Sequence, residues 1–442
     1  MDSRSLSSTP PLLHPSQHPD ALPSRLGQPL CATVHQTVII YLYNRLFDPL
    51  IQGNFWLYIR DLLDHPLPDV RFHVVTYEDP RFPLTAEQRQ QLAYWQKQGL
   101  CWTSLTWHPG TGLSQKLKDV LAGWRVLARL RRQGAKQIIT LGSVAGSYGY
   151  LYARSLKMRL FLYQFEPHSE YAIDNGMWPE GSLQHRLVAF LERKAARYAS
   201  VIASGTKYMQ ERLQQVWHAR GRFVKIPTVA NDRKFLFNPA LRQITRQQLS
   251  LSEDTPVLLY PGKFGGLYYS TETAWMYRWL YELEPRLHFL IVTPHADEEV
   301  HALFDEVGVP RNAYSIRHSD YPEIHGYYFA ADFAIIAVPP GPSKKFISNI
   351  KVGEYLCAGL PFLITRGVSE DHLVAEQQEV GVVVDDFVES EIKAAWPKIQ
   401  AFLAQPPEQR RGHCRAVGLD YRGFDTLNPR FRSAVETLIQ AS

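Results

Sequence analysis

The chain has 442 residues, 45% of them hydrophobic and 21% charged, a length and balance that set two domains with sizeable cores as the expectation. Its 12% of aromatic residues exclude disorder over most of the length, and no run reaches the ~18–20 consecutive apolar residues of a membrane span. The 48 basic and 43 acidic side chains leave +5, an excess that admits an anionic partner but is too thin to call for nucleic acid.

Residues 1–35 are dominated by Ser, Pro, His and Gln and show no apolar period. Such a stretch cannot bury enough surface to offset its ordering entropy, so a disordered leader is expected. It also lacks the apolar core of a secretory signal. The four cysteines, Cys31, Cys101, Cys357 and Cys414, are far apart and form no Cys-x-x-Cys pair. That pattern points to free thiols in a reducing cytoplasm, the expected location.

From Thr37 onward the pattern is strand, turn, helix, repeated. Short apolar runs at 38–43, 70–77, 101–107, 137–141, 158–165 and 201–204 alternate with helical patterns at 55–63, 85–99, 114–133 and 184–198. Alternation of this kind predicts a doubly wound parallel α/β sheet over 36–230, with functional loops at the carboxyl ends of its strands. The polar stretch 231–255 reads as a linker. A second series follows over 256–415, with strands at 256–260, 287–293, 333–338, 361–365 and 380–385, and 416–442 reads as helix. Two Rossmann-like domains facing each other leave a cleft between them.

The most informative segment runs from Ser348 to Ile364. Ser348 or Asn349 can cap a helix, Gly359 ends it, and Pro361 leads into the next strand. Lys351 and Glu354 are three apart and share one face of the first turns. A helix start aimed into a cleft binds phosphate through its free amides, and Lys351 adds charge there. Glu354 offers two acceptor oxygens to a vicinal diol such as that of ribose. Standing alone, the same residues describe a capped surface helix with an ordinary ion pair.

The segment does not stand alone. Glu354 with the Ala358-Gly359-Leu360-Pro361 helix end resembles the signature of retaining family 4 glycosyltransferases of the GT-B fold. The likeness extends over most of the chain after Thr37 and is strongest in 256–385. It implies transfer of a sugar from a nucleotide-diphosphate sugar to a hydroxyl acceptor (a glycan, a lipid-linked or a small molecule), with retention and with Glu354 on the donor ribose. A lysine three residues before the glutamate, here Lys351, occurs in one branch of these enzymes. In the family another Glu often lies eight residues earlier and contacts the sugar; this chain has Phe346 there.

Three further loops are candidates. Gly262, Lys263 and Gly265 follow the first strand of the second domain, where glycines let the backbone approach a pyrophosphate and Lys263 can neutralise it. The resemblance puts Lys263 on the donor diphosphate, although Leu267, Tyr268 and Tyr269 stand where a second basic residue is usual. Gly53 and Asn54, after the first strand, occupy the loop that the resemblance aims at phosphates and acceptor; a turn with Asn54 as helix cap is the plainer reading. Glu166 and His168 close a buried strand with an acid and an imidazole, groups that can act on an acceptor hydroxyl or stabilise charge on the sugar.

Absences narrow the chemistry. There is no Asp-x-Asp triplet to hold a metal-bound diphosphate, no phosphate-binding Gly-x-x-x-x-Gly-Lys loop, no Gly-x-Gly-x-x-Gly turn and no Gly-x-Ser-x-Gly elbow. Neither a metal nor another cofactor is expected. Two rivals stay open: a nucleotide-sugar epimerase or inverting GT-B transferase, and a non-catalytic binding protein of the same shape. Finally, Arg125, Arg129, Arg132 and Lys136 recur beside an apolar stripe of Leu117, Leu121, Trp124 and Ala128. Over 114–136 this reads either as a basic amphipathic helix on an anionic membrane or as a core-facing stripe with a solvated basic edge, the second being the commoner arrangement.

Overall fold

The computed structural model describes residues 36–440 apart from 111, 320 and 322, so the leader expected over 1–35, with Cys31, lies outside the described residues. The first sheet contains β1 (Gln36–Tyr41), β2 (Val70–Glu78), β3 (Cys101–Thr106), β4 (Gln137–Leu141), β5 (Arg159–Gln164), β6 (Val201–Ser204) and β7 (Arg222–Lys225). All are parallel, in the order β3-β2-β1-β4-β5-β6-β7. The second contains β8 (Val257–Pro261), β9 (His288–Val292), β10 (Tyr314–Arg317), β11 (Phe333–Ile336), β12 (Phe362–Thr365) and β13 (Gly381–Val384), in the order β10-β9-β8-β11-β12-β13 and again parallel.

Central strands such as β4, β8 and β9 are buried along their whole length. Helices cover both faces of a parallel sheet, which is why these strands are continuous apolar runs. Two strands gave no such signal, β7 (Arg-Phe-Val-Lys) and β10 (Tyr-Ser-Ile-Arg). Both lie at a sheet edge, where half coverage tolerates charged side chains.

In each sheet the chain winds outward one way and then returns to start again beside the first strand. The reversal falls between β1 and β4 in one sheet and between β8 and β11 in the other. Loops leaving adjacent strands in opposite directions open a crevice at their carboxyl ends.

The stretch 231–255 is more than a connection. It forms a helix, Pro239–Gln248, capped by Asn238, whose Oδ1 accepts from the Leu241 N–H at 3.1 Å. Arg246 of this helix is buried and pairs with Asp332 at 2.7 Å, and Arg242 reaches the same carboxylate at 3.1 Å. The charges that suit a solvated linker are therefore partners of a residue before β11. After the helix Pro407–Arg422 packs on the second domain, the last helix, Phe424–Gln440, crosses back to the first. There Phe431 stacks on Tyr58 at 4.4 Å and Arg432 pairs with Asp61 at 2.6 Å.

The domains meet along a polar seam that includes an apolar anchor. Ser348 Oγ accepts from the Thr228 N–H and from Arg422, both at 2.9 Å, and the buried Arg422 pairs with the buried Asp371. Asp174 accepts from Ser343 N–H at 3.2 Å and Oγ at 2.5 Å. Phe346 joins the apolar cluster of the first domain that includes Met209, Leu213 and Trp217.

Candidate functional site

A cleft of about 390 Å³ opens where the two reversals face each other. The loop after β1 brings Tyr43, Asn44 and Leu50; the end of β4 and the helix after it bring Leu141, Gly142 and Ser143; the segment after β5 brings Phe165, Glu166 and His168. From the second sheet come Leu267 and Tyr268 after β8 and the segment Ile347–Ile350 after β11. Both sheets thus contribute through the loops beside their switch points, the place where ligands of such sheets bind.

The helix after β11 spans Ile350–Cys357, and of the two candidate caps it is Asn349 that serves: its Oδ1 accepts from the Lys351 N–H at 3.1 Å. Gly359 ends it with φ at +78°, and a Cβ there would meet Arg411 at 2.7 Å, so glycine is required twice over. Lys351 and Glu354 do not pair with each other. Lys351 Nζ donates to the Tyr268 hydroxyl at 3.0 Å, and Glu354 Oε2 accepts from the Tyr328 hydroxyl at 2.7 Å. Burial pushes the Glu354 carboxyl up, against the opposing effects of Tyr328 and of the Lys234 and Lys351 charges. Lys234 is missing from the sequence-based list, because nothing local marks one lysine of a polar stretch as facing a glutamate 120 positions later.

After β8 the chain turns through Gly262, where a Cβ would strike the Tyr260 ring at 2.8 Å, and Gly265, with φ at +79°. Lys263 between them is exposed, and its carbonyl accepts from the Tyr260 hydroxyl. Tyr268 then turns towards the cleft. The Lys351 charge, and less strongly Lys263, holds the Tyr268 phenol below its ordinary range although burial opposes it.

Ser348 borders the cleft, but its hydroxyl is engaged by Thr228 and Arg422. Gly53 and Asn54 lie in a wide π-type turn, Ile51–Phe55, and neither borders the cleft. Gly53 packs on Tyr321 of the second domain, where a Cβ would come within 2.8 Å of the ring. Asn54 is buried, and its Oδ1 accepts from the Val229 N–H at 3.1 Å, so its side chain braces the crossing to the second domain and does not cap a helix.

Glu166 and His168 do come together: Oε1 and Nδ1 are 3.6 Å apart at the cleft edge. Burial pulls the imidazole down, but the hydrogen bond and charge of Glu166, joined by Glu192, outweigh it, and the net shift is upward. His168 is the first residue of a short helix, His168–Asp174, which lacks a side-chain cap of its own. The buried Glu192 takes that place from another helix, accepting from the Ser169 N–H at 3.4 Å and Oγ at 2.5 Å. Burial pushes the Glu192 carboxyl up to about 7, offset by Ser169 and His168. In the sequence Glu192 is one charge among several of a polar helix, with no pattern to single it out.

Gly142 is a third omission. It takes φ at +81° at the start of the helix Ser143–Leu156, and a Cβ would meet the Phe165 ring at 3.3 Å. A Gly-Ser pair after a predicted strand was the available signal, and the start of this helix, 142–145, lines the cleft.

No family model matches the sequence, and neither does any curated protein. Solved structures do match. The chain is similar to sucrose-phosphate synthase from Thermosynechococcus elongatus at 17% identity and TM-score 0.69, over 92% of this chain and 100% of that one. It is similar to HepE of Anabaena in complex with UDP (13%, TM-score 0.63, 91% and 100% covered). It is also similar to WaaG, a glycosyltransferase involved in lipopolysaccharide biosynthesis (17%, TM-score 0.61, 92% and 100% covered). At these identities the likeness shows the fold, and the fold is GT-B: two facing Rossmann-like domains with their strand ends turned towards a common cleft.

Proposed function

We propose that the chain is a glycosyltransferase that moves a sugar from a nucleotide-diphosphate sugar to a hydroxyl acceptor, with retention of anomeric configuration. One observation carries the reading: the cleft at both switch points sets a cation-bearing helix start, with Lys351 beside Tyr268, across from the Glu166–His168 pair. Breaking a glycosyl–diphosphate bond leaves growing negative charge on the phosphate. Fixed ammonium groups and helix-start amides stabilise that charge without reorganising, and more strongly where water is excluded.

In this reading Glu354 receives the ribose hydroxyls, while Lys351, Lys263 and the amides after Asn349 receive the diphosphate, with Gly262 and Gly265 allowing close approach. Glu166 and His168 face the sugar and acceptor; an imidazole whose charged form Glu166 favours suits an anionic neighbour. No metal is needed in this scheme. Structurally similar proteins have been crystallised with UDP and UDP-glucose, which makes these the first ligands to try.

The test is incubation with UDP-glucose and other nucleotide sugars, with and without acceptors and with EDTA. Release of nucleoside diphosphate that depends on acceptor and survives EDTA is expected. Conversion of the donor alone to another nucleotide sugar would identify an epimerase, and no turnover of any donor would leave a binding protein.

A further inference from the structure

Two helices on the outside of the first domain, Leu113–Arg132 and Leu183–Tyr198, carry the same unpaired pattern. In the first, Leu117, Leu121 and Trp124 are 57%, 44% and 40% exposed; in the second, Leu183, Leu187 and Phe190 are 68%, 42% and 48% exposed. Both sets follow i, i+4, i+7 spacing, so each is one stripe along one helix face. Of the two readings open for the first stripe, the core-facing one is not met: the stripe is mostly turned to solvent, and only Ala128 of its four members is buried. The helix Ser143–Leu156 lies between the two and packs on both, and Trp124 donates to its Ser155 Oγ at 3.1 Å.

The charges that these two helices expose have one sign. Each helix contains a single acidic residue, Asp119 or Glu192, and both are buried. Each ties its helix to the cleft: Asp119 accepts from the hydroxyl of cleft residue Tyr43 at 2.5 Å, and Glu192 holds the residue after His168. What remains outside is cationic, including Lys118, Arg125, Arg129 and Arg132 on one helix, and Arg186 and Arg193 on the other. A chain of net +5 thus concentrates positive charge beside exposed apolar side chains.

We infer that this two-helix face lies on an anionic lipid bilayer. Apolar side chains buried at the headgroup boundary, with only cations exposed beside them on their own helices, match a surface that is oily below and negative above. In a parallel sheet each of these helices starts at the strands' carboxyl edge. The apolar side chains run from Leu183 at the start of one helix to Trp124 in the second half of the other, where it meets Ser155 near the end of the helix between them, so the contact extends along the helices. Among the described residues, no helix is long and apolar enough to cross a membrane.

The inference goes beyond the donor chemistry and does not depend on it. Its test is flotation of the full chain with vesicles of phosphatidylcholine alone and with phosphatidylglycerol added. Binding to the anionic vesicles should be at least about tenfold stronger, should weaken as salt shortens the Debye length, and should fall about tenfold or more in a Leu121→Ser/Phe190→Ser variant. An unchanged far-ultraviolet circular dichroism spectrum and urea midpoint of that variant confirm that its fold is kept. Equal binding to both vesicles, no binding, or wild-type binding by the double variant overturns the proposal. Capture of poly-glutamate without vesicle binding also overturns it, assigning the face to an acidic protein. Vesicle binding is read without a donor, so its failure and a failure of sugar transfer are told apart.

Discussion

The Lys351 ammonium donates to the Tyr268 hydroxyl at 3.0 Å and lies 4.2 Å from the centre of the same ring. The loop after β8 has one lysine of its own, Lys263, and a tyrosine where the family resemblance implies a second cation. The structure supplies that cation from the helix after β11. If the pair receives the donor diphosphate, Lys351→Ala should lower turnover by about 10²-fold while costing little stability, because the charge it meets grows in the transition state. The same substitution should raise the Tyr268 phenol towards or above its ordinary range, since burial then acts unopposed by its strongest partner. A tyrosinate absorbance titration reads this directly; an unmoved Tyr268 titration would show that the contact is not electrostatic.

Glu354 is buried and already accepts from the hydroxyls of Tyr328 and Tyr321. A carboxylate so placed has acceptor capacity left for a diol. Glu354→Gln should weaken nucleotide binding by about 1.5–3 kcal/mol, the range of a charge-assisted hydrogen bond, with the fold intact. Calorimetry measures it, and unchanged affinity would remove Glu354 from the ribose site.

Glu192 makes a pH signature. Its carboxyl titrates at about 7 when folded, against 4.5 as the ordinary value. Between those values the unfolded chain releases the proton and the folded chain keeps it, so the native state binds more protons and stability falls as pH rises. Glu192→Gln removes this loss. The variant's urea midpoint, measured relative to wild type, should therefore improve steadily from pH 4.5 to 7 and level off above. A constant difference across that window would mean that Glu192 ionises normally in the fold.

Phe346 tests how the cleft is held. Its ring belongs to the second domain's chain but to the first domain's apolar cluster. Phe346→Ala should cost about 3–5 kcal/mol of stability and loosen the domain seam. Small-angle scattering should show a larger radius of gyration for the variant, partly restored by nucleotide diphosphate. An unchanged radius with reduced stability would make Phe346 a packing residue without control over the cleft.

Much of the scaffold is written in local sequence. Parallel strands are covered on both faces, so they appear as apolar runs, and β4 and β6 match their predicted bounds. Asn349 and Gly359 mark their helix ends because capping and positive φ depend on residues close in sequence. The same holds for Glu166 and His168, two residues apart at a strand end, and for the placement of Lys351 and Glu354 on one helix. Tertiary structure alone settled where charges and apolar stripes point. Glu192 and Arg246 are buried against partners far along the chain, Asn54 spends its amide on Val229, and Lys351 turns to Tyr268 and not to Glu354. Leu117, Leu121 and Trp124 show the periodicity of a buried stripe and are exposed. Periodicity records that a helix has two unlike faces; which face is covered depends on the neighbour that packs there, and that neighbour comes from elsewhere in the chain.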